Sequence, residues 1–248
     1  MKKTTILIAI VALASVWGCS SEADEAYERI EMLSENDRQE DVIVESTKAI
    51  ETFPDDPRFY YKRGWVYHQQ DRNEKAQQDF EKCLVLDAEY GDAYKGIAGV
   101  YADRGMYDLA KKNYEKAIEF APNDKRKAAY YENLGNMYSS MGEYEKAIFH
   151  IQQAIALYDI GDYYYNLGGA YIMNGDEEKG LEQWKAAIAE DNFREKSFKG
   201  EILLQLAIDS YRNSEYRQAK AYLEQALEVD PSDERYLEAY AEVKSLVE

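Results

Sequence analysis

The sequence predicts an all-α fold, a row of about five to six antiparallel helical hairpins ending in a C-terminal capping helix, and two observations predict it. The first is an internal register held across five copies. A small residue recurs at Gly64, Ala98, Gly135, Gly168 and Ala207, followed three residues later by a hydroxyl-bearing side chain at Tyr67, Tyr101, Tyr138, Tyr171 and Ser210. Twelve after the first come Ala76, Ala110, Ala147, Gly180 and Ala219; sixteen after come the large Phe80, Tyr114, Ile151, Trp184 and Leu223. Nineteen after, the chain is small again at Cys83, Ala117, Ala154, Ala187 and Ala226. The second observation is the spacing of the copies, 34, 37, 33 and 39 residues, which is the length of two helices and a turn. The two long intervals predict extra turns around residues 125–127 and 195–199.

Taken in order, the first element is a leader. Lys2 and Lys3 precede an apolar run from Ile6 to Ala14, then Ser15, Val16, Trp17, Gly18 and Cys19. A charged start, a short apolar stretch and a processing site read as an export signal. Nine apolar residues fall well short of the roughly 20 that cross a bilayer as a helix. Ala12-Leu13-Ala14 offers a second cleavage site, for plain secretion. Val16-Trp17-Gly18-Cys19 resembles the lipobox of bacterial lipoproteins, with Trp17 bulkier than that family carries there. The resemblance implies a signal peptide over residues 1–18, palmitate-type acylation of Cys19, and a membrane anchor built from several acyl chains, each stabilised by about 0.8 kcal/mol per buried CH₂. Residues 19–24 are small, polar and acidic and read as a lipidated flexible tether. Ser20 replaces the Asp that in lipoproteins signals inner-membrane retention, so the resemblance implies the outer membrane, on its periplasmic face or at the cell surface.

Residues 25–231 are expected to be the repeat body. A degenerate first copy places Ile30, Leu33, Val42, Ser46, Ala49 and Pro54 at the repeat positions without the first small residue. Gly105, Gly142 and Gly175 fall between the two helices of their copies, where a positive φ is cheap for glycine. Residues 232–248, with apolar Leu237, Tyr240, Ala241, Val243, Leu246 and Val247, read as a capping helix.

Leu134-Gly135, Leu167-Gly168, the recurrent Tyr and Ala and the closing Pro122 and Pro231 resemble the tetratricopeptide repeat. The resemblance covers nearly all of the chain after residue 24. It implies a right-handed superhelical solenoid in which the small residues mark where helices cross, and a concave groove lined by the first helix of each hairpin. Mapped onto this chain, the groove positions include Arg58, Tyr61, Trp65 and His68, then Lys95, then Asn136, then Tyr165. Tyr and Trp dominate interface hot spots, and Tyr61 and Trp65, one turn apart, are expected to project together. The carboxylate-clamp pattern that grips acidic C-termini is incomplete. Lys95 and Asn133 fit it, but Gly99, Asp162 and Asn166 stand where Asn, Lys and Arg are needed.

Composition narrows the function. The formal charge of −18 becomes more negative still once Lys2 and Lys3 are removed, and no basic run offsets it, which argues against nucleic acid and anionic lipid surfaces. With Cys19 lipidated, Cys83 has no partner for an intrachain disulfide, and it falls at a small-residue packing position. His68 and His150, the only histidines, lack companions at metal-ligand spacing. There is no phosphate loop and no nucleophile elbow. The expectation is a non-enzyme without cofactor or metal, a scaffold or adaptor binding other envelope proteins or peptides. A small-ligand or glycan receptor using groove aromatics is the alternative.

Overall fold

The computed structural model describes residues 21–247, and the chain divides into two units, one ending at Phe120 and one beginning at Ala121. Among the described residues there are thirteen helices and no strands. The fold class is therefore the one expected, an all-α repeat of helical hairpins closed by a further helix. The first unit holds three hairpins: α1 (Glu22–Glu35) with α2 (Gln39–Thr52), α3 (Pro57–Gln69) with α4 (Asn73–Leu86), and α5 (Gly91–Asp103) with α6 (Tyr107–Glu119). The second holds α7 (Asp124–Ser140) with α8 (Tyr144–Leu157), α9 (Gly161–Met173) with α10 (Glu177–Glu190), α11 (Lys196–Arg212) with α12 (Tyr216–Val229), and then α13 (Glu234–Lys244).

Local signals set the boundaries. Pro57 starts α3 behind the cap Asp56, whose side chain accepts the Arg58 N–H, as suits a residue that has no N–H of its own to offer. Asn123, Asp176 and Asp233 cap α7, α10 and α13 in the same way. Every hairpin turn contains one residue in the left-handed region: Asp37, Asp71, Gly105, Gly142, Gly175 and Ser214, with φ between 52 and 89°. The two long intervals appear as added helix: α7 and α11 have 17 residues where the other first helices have 13 or 14, close to one extra turn.

The repeat register is the core. All twenty of the small and large positions at the first, twelfth, sixteenth and nineteenth offsets are buried. The small glycines are there because large side chains cross on top of them. A Cβ on Gly168 would lie 2.2 Å from Trp184 Nε1, and one on Gly135 2.7 Å from Ile151 Cγ1. A cation locks one crossing: Arg63 on α3 holds buried Asp79 on α4 through two 2.8 Å bonds and reaches Thr47 on α2 at 3.0 Å. Because Asp79 is buried, this pair is strongly destabilising to break, although its net worth against an apolar pair is small.

The degenerate first copy expected over residues 25–56 is a complete hairpin, with Ile30, Val42, Ser46 and Ala49 buried. One boundary differs from expectation. Helix α1 begins at Glu22, and Ser21 and Asp24 form a reciprocal capping box, so the polar stretch read as tether supplies a helical turn. Its acidic residues suit the positive end of a helix dipole. In α13 the face turned inward carries Tyr236 and Val243, whereas Leu237 and Leu246 are exposed. Tyr236 is anchored by Gly200, where a Cβ would meet its hydroxyl at 2.4 Å. The leader and Cys19 lie outside the described residues.

Candidate functional site

In the first unit the first helices α3 and α5 bring three of the expected groove residues together. The Lys95 ammonium sits 4.0 Å from the centroid of the Trp65 ring, a cation–π contact. His68 Nε2 lies 2.8 Å from Asp103 Oδ2, and its ring occupies the space left by Gly99, where a Cβ would be 2.8 Å from His68 Cε1. The repeat resemblance assigned Trp65, His68 and Lys95 to groove positions, and here Trp65 lies against both of the others.

Two other expectations for this unit are corrected. Tyr61 is only 7% exposed, packing against Phe80 at 6.1 Å and Tyr90 at 5.4 Å between ring centroids. It is a core residue and does not project, because the turn carrying Tyr90 brings a second ring over it. Arg58 is held at Asp24 (2.8 Å) and Asp56 (2.6 Å) and lies over the Tyr27 ring. It ties α1 to α3, and these carboxylates push its guanidinium further above its ordinary value.

The second unit contains a cleft of about 420 Å³. Its walls are the first helices α7 and α9, with Gln205 of α11 at one side and Trp184 of α10 behind. Asn136 and Tyr165, both expected at the groove, line it. Tyr165 is half-buried, stacked on Phe198 (5.0 Å) and parallel to Trp184 (6.4 Å), whose Nε1 donates to the Tyr165 carbonyl at 3.0 Å. Asn166 donates to Glu132 Oε1 at 2.9 Å, and Asn136 bonds the same carboxylate. Burial raises the Glu132 pKa; Arg194 and the two amides pull against that, and Asp162 adds to it. Gly169 leaves the cleft open, with nothing within 4 Å of where its Cβ would be, and Met173 at the rim is 64% exposed. The cleft therefore offers amides and a hydroxyl, Ser139, beside an aromatic edge and an exposed thioether. That mixture suits an extended chain, whose backbone needs hydrogen bonds and whose side chains need apolar cover.

Gln205 was missed as a groove residue, and Asn166 was weighed only against the carboxylate clamp. The signal was present: an amide stands two residues before the small residue in the last three copies, at Asn133, Asn166 and Gln205.

Three family models described as tetratricopeptide repeat match residues 46–78, 89–160 and 204–243. The chain carries tetratricopeptide repeats. Among curated proteins, this tetratricopeptide chain is 30% identical over 101 residues to the Hsp70-Hsp90 organizing protein 2 of Arabidopsis thaliana, a match covering 41% of this chain and 18% of that protein. It is 29% identical over 97 residues to the small glutamine-rich tetratricopeptide repeat-containing protein 2 of Mycosarcoma maydis, covering 38% and 28%. The matched region thus spans less than a third of either relative's length. Among solved structures, PilW, described as a widely conserved type IV pilus biogenesis factor, aligns with a TM-score of 0.70 at 13% identity over 88% of this chain and 98% of its own. Pseudomonas aeruginosa pilF aligns with a TM-score of 0.68 at 15% identity over 89% and 97%. At such identities the likeness is one of fold. Among the described residues, no helix is long and apolar enough to cross a membrane, and no group of three or more His, Cys, Asp or Glu side chains is placed to hold a metal ion. Burial drives the Cys83 thiol well above its ordinary value, so it is a poor nucleophile.

Proposed function

We propose that the chain is an envelope-anchored scaffold that seats an extended segment of a partner protein in the cleft between α7 and α9. The observation that carries this reading is the pairing, in one 420 Å³ cleft, of amides held by a shared carboxylate with an exposed Met173 and an open floor at Gly169. Anchoring is supported by the leader and by the lipobox resemblance at Cys19. The fold likeness to PilW and pilF, the former described as a pilus biogenesis factor, is in keeping with an envelope role.

Gly169→Arg tests the cleft. A side chain there enters open space, so helical content and melting should hold while the cleft is filled. Proteins that co-purify from detergent-solubilised membranes should be lost, or bind at least about tenfold more weakly. Their full retention would place recognition elsewhere. Anchoring has its own test: Cys19→Ala should abolish incorporation of labelled palmitate and release the protein from the membrane fraction. Labelling equal to the parent's would refute lipidation at Cys19.

A further inference from the structure

A second cavity in the same unit, away from the cleft residues, has the opposite electrical character to the chain. It measures about 600 Å³ and is bounded by the start of α7, the connection before α9 and the connection before α11. In a protein of formal charge −18, its wall carries Lys125, Arg126 and Arg194 and no carboxylate, with Tyr158, Tyr163 and Phe193 as apolar surfaces.

The wall is built rather than incidental. Asn192 donates to the Asp159 carbonyl at 2.7 Å and its own carbonyl accepts the Gly161 N–H at 2.6 Å. The Phe193 ring packs where a Cβ on Gly161 would sit 2.6 Å away. These contacts dock the 192–194 connection against the start of α9. Asp162, with no exposed surface, accepts the Arg194 backbone N–H at 3.0 Å and lies 3.1 Å from Arg194 Nε. It holds the guanidinium by its inner edge, and the donors of the terminal nitrogens are those that suit a planar oxyanion. Carboxylates stand nearby as well: Asp159 is engaged with Tyr164, Asp191 pairs with Lys199 at 2.6 Å, and Glu132, held by Asn166, lies close enough to feel Arg194. Lys125 stands over the Tyr158 ring at 5.6 Å, and the positive end of α7 faces the same space.

We propose that this cavity is a binding site for a small ring-bearing organic anion, a carboxylate or phosphate group held by Lys125, Arg126 and Arg194 with its ring against Tyr158, Tyr163 and Phe193. The volume is in the range of small-molecule sites. The site shares no lining residue with the cleft.

Calorimetric titration of the full-length protein with glucuronate, glucose 6-phosphate and glucose tests it. One or both anions should bind saturably, more weakly as salt rises, and which one binds identifies carboxylate or phosphate as the preferred group; glucose should not bind. Lys125→Gln with Arg126→Gln, both exposed, should weaken anion binding at least about tenfold with melting unchanged. Arg194 is left in place because its loss strands the buried Asp162. Gly169→Arg should bind the anion as the parent does. The proposal is overturned by any of three results: no saturable binding of either anion up to about 10 mM, a concentration at which even millimolar sites fill; glucose binding as tight as the anions; or undiminished binding in the double variant.

Discussion

Gly168 and Gly169 are neighbours in one helix and answer to different constraints. Gly168 lies under Trp184, and a Cβ there would approach the indole to 2.2 Å; Gly169 faces the cleft with nothing within 4 Å. Adding a methyl to the first overpacks the core and should lower stability by about 1–3 kcal/mol. Adding it to the second removes a flexible residue from a helix interior and should raise stability by roughly 0.5–1 kcal/mol. Denaturant melts of Gly168→Ala and Gly169→Ala check both signs. Equal effects would mean that the register of α9 is misplaced by one residue.

At the scale of one helix pair, Glu132 on α7 joins α9 through Asn166 and feels Arg194 beyond it. Its folded-state pKa is raised, with burial as the largest cause. A carboxyl that binds its proton more tightly when folded stabilises the fold at low pH, and that contribution is lost as pH rises from the ordinary glutamate value through the raised one. Glu132→Gln retains the shape and removes the ionisation. Its melting temperature should therefore gain on the parent's as pH rises above the ordinary glutamate value. If the parent gains instead, the amides and Arg194 outweigh burial and the carboxylate is at home there.

The same helices show what sequence could and could not say. Small residues at fixed spacing are legible because close crossing admits nothing else, so the core, the turns and the extra turns of α7 and α11 were readable. Groove residues were readable as positions but not as poses. Trp65, His68 and Lys95 lie together, yet Tyr61 at an equivalent position is buried at a tilt against Tyr90, a residue belonging to the connection between hairpins. Whether a long ring projects or folds back depends on that connection, which has no repeat of its own. Arg58 is occupied by Asp24 in a hairpin whose sequence is too degenerate to predict the contact.

For the second unit as a whole, stability depends on how its last hairpin is covered. Helix α13 lays Tyr236 and Val243 onto Leu203, Leu204, Leu223 and their neighbours. Burying side chains of this kind is worth about 1.5–3 kcal/mol each. Truncation after Pro231 should lower the melting temperature of the unit by about 5 °C or more and raise binding of an apolar dye. Unchanged melting would show that α13 rests on the hairpin without capping it.

The left-handed turn that recurs in each hairpin has a mechanical consequence. Each hairpin closes on itself and packs on the hairpin before and after it within its unit, so a pulling force is borne by the hairpins in series and no single interlock carries it. A chain held at one end and loaded at the other would lengthen in steps, each releasing one hairpin of about 34 residues, on the order of 100 Å of extended chain. Released segments could re-form from local contacts alone. Such a molecule yields under tension without losing the hairpins that remain folded, and recovers its length when the load is removed.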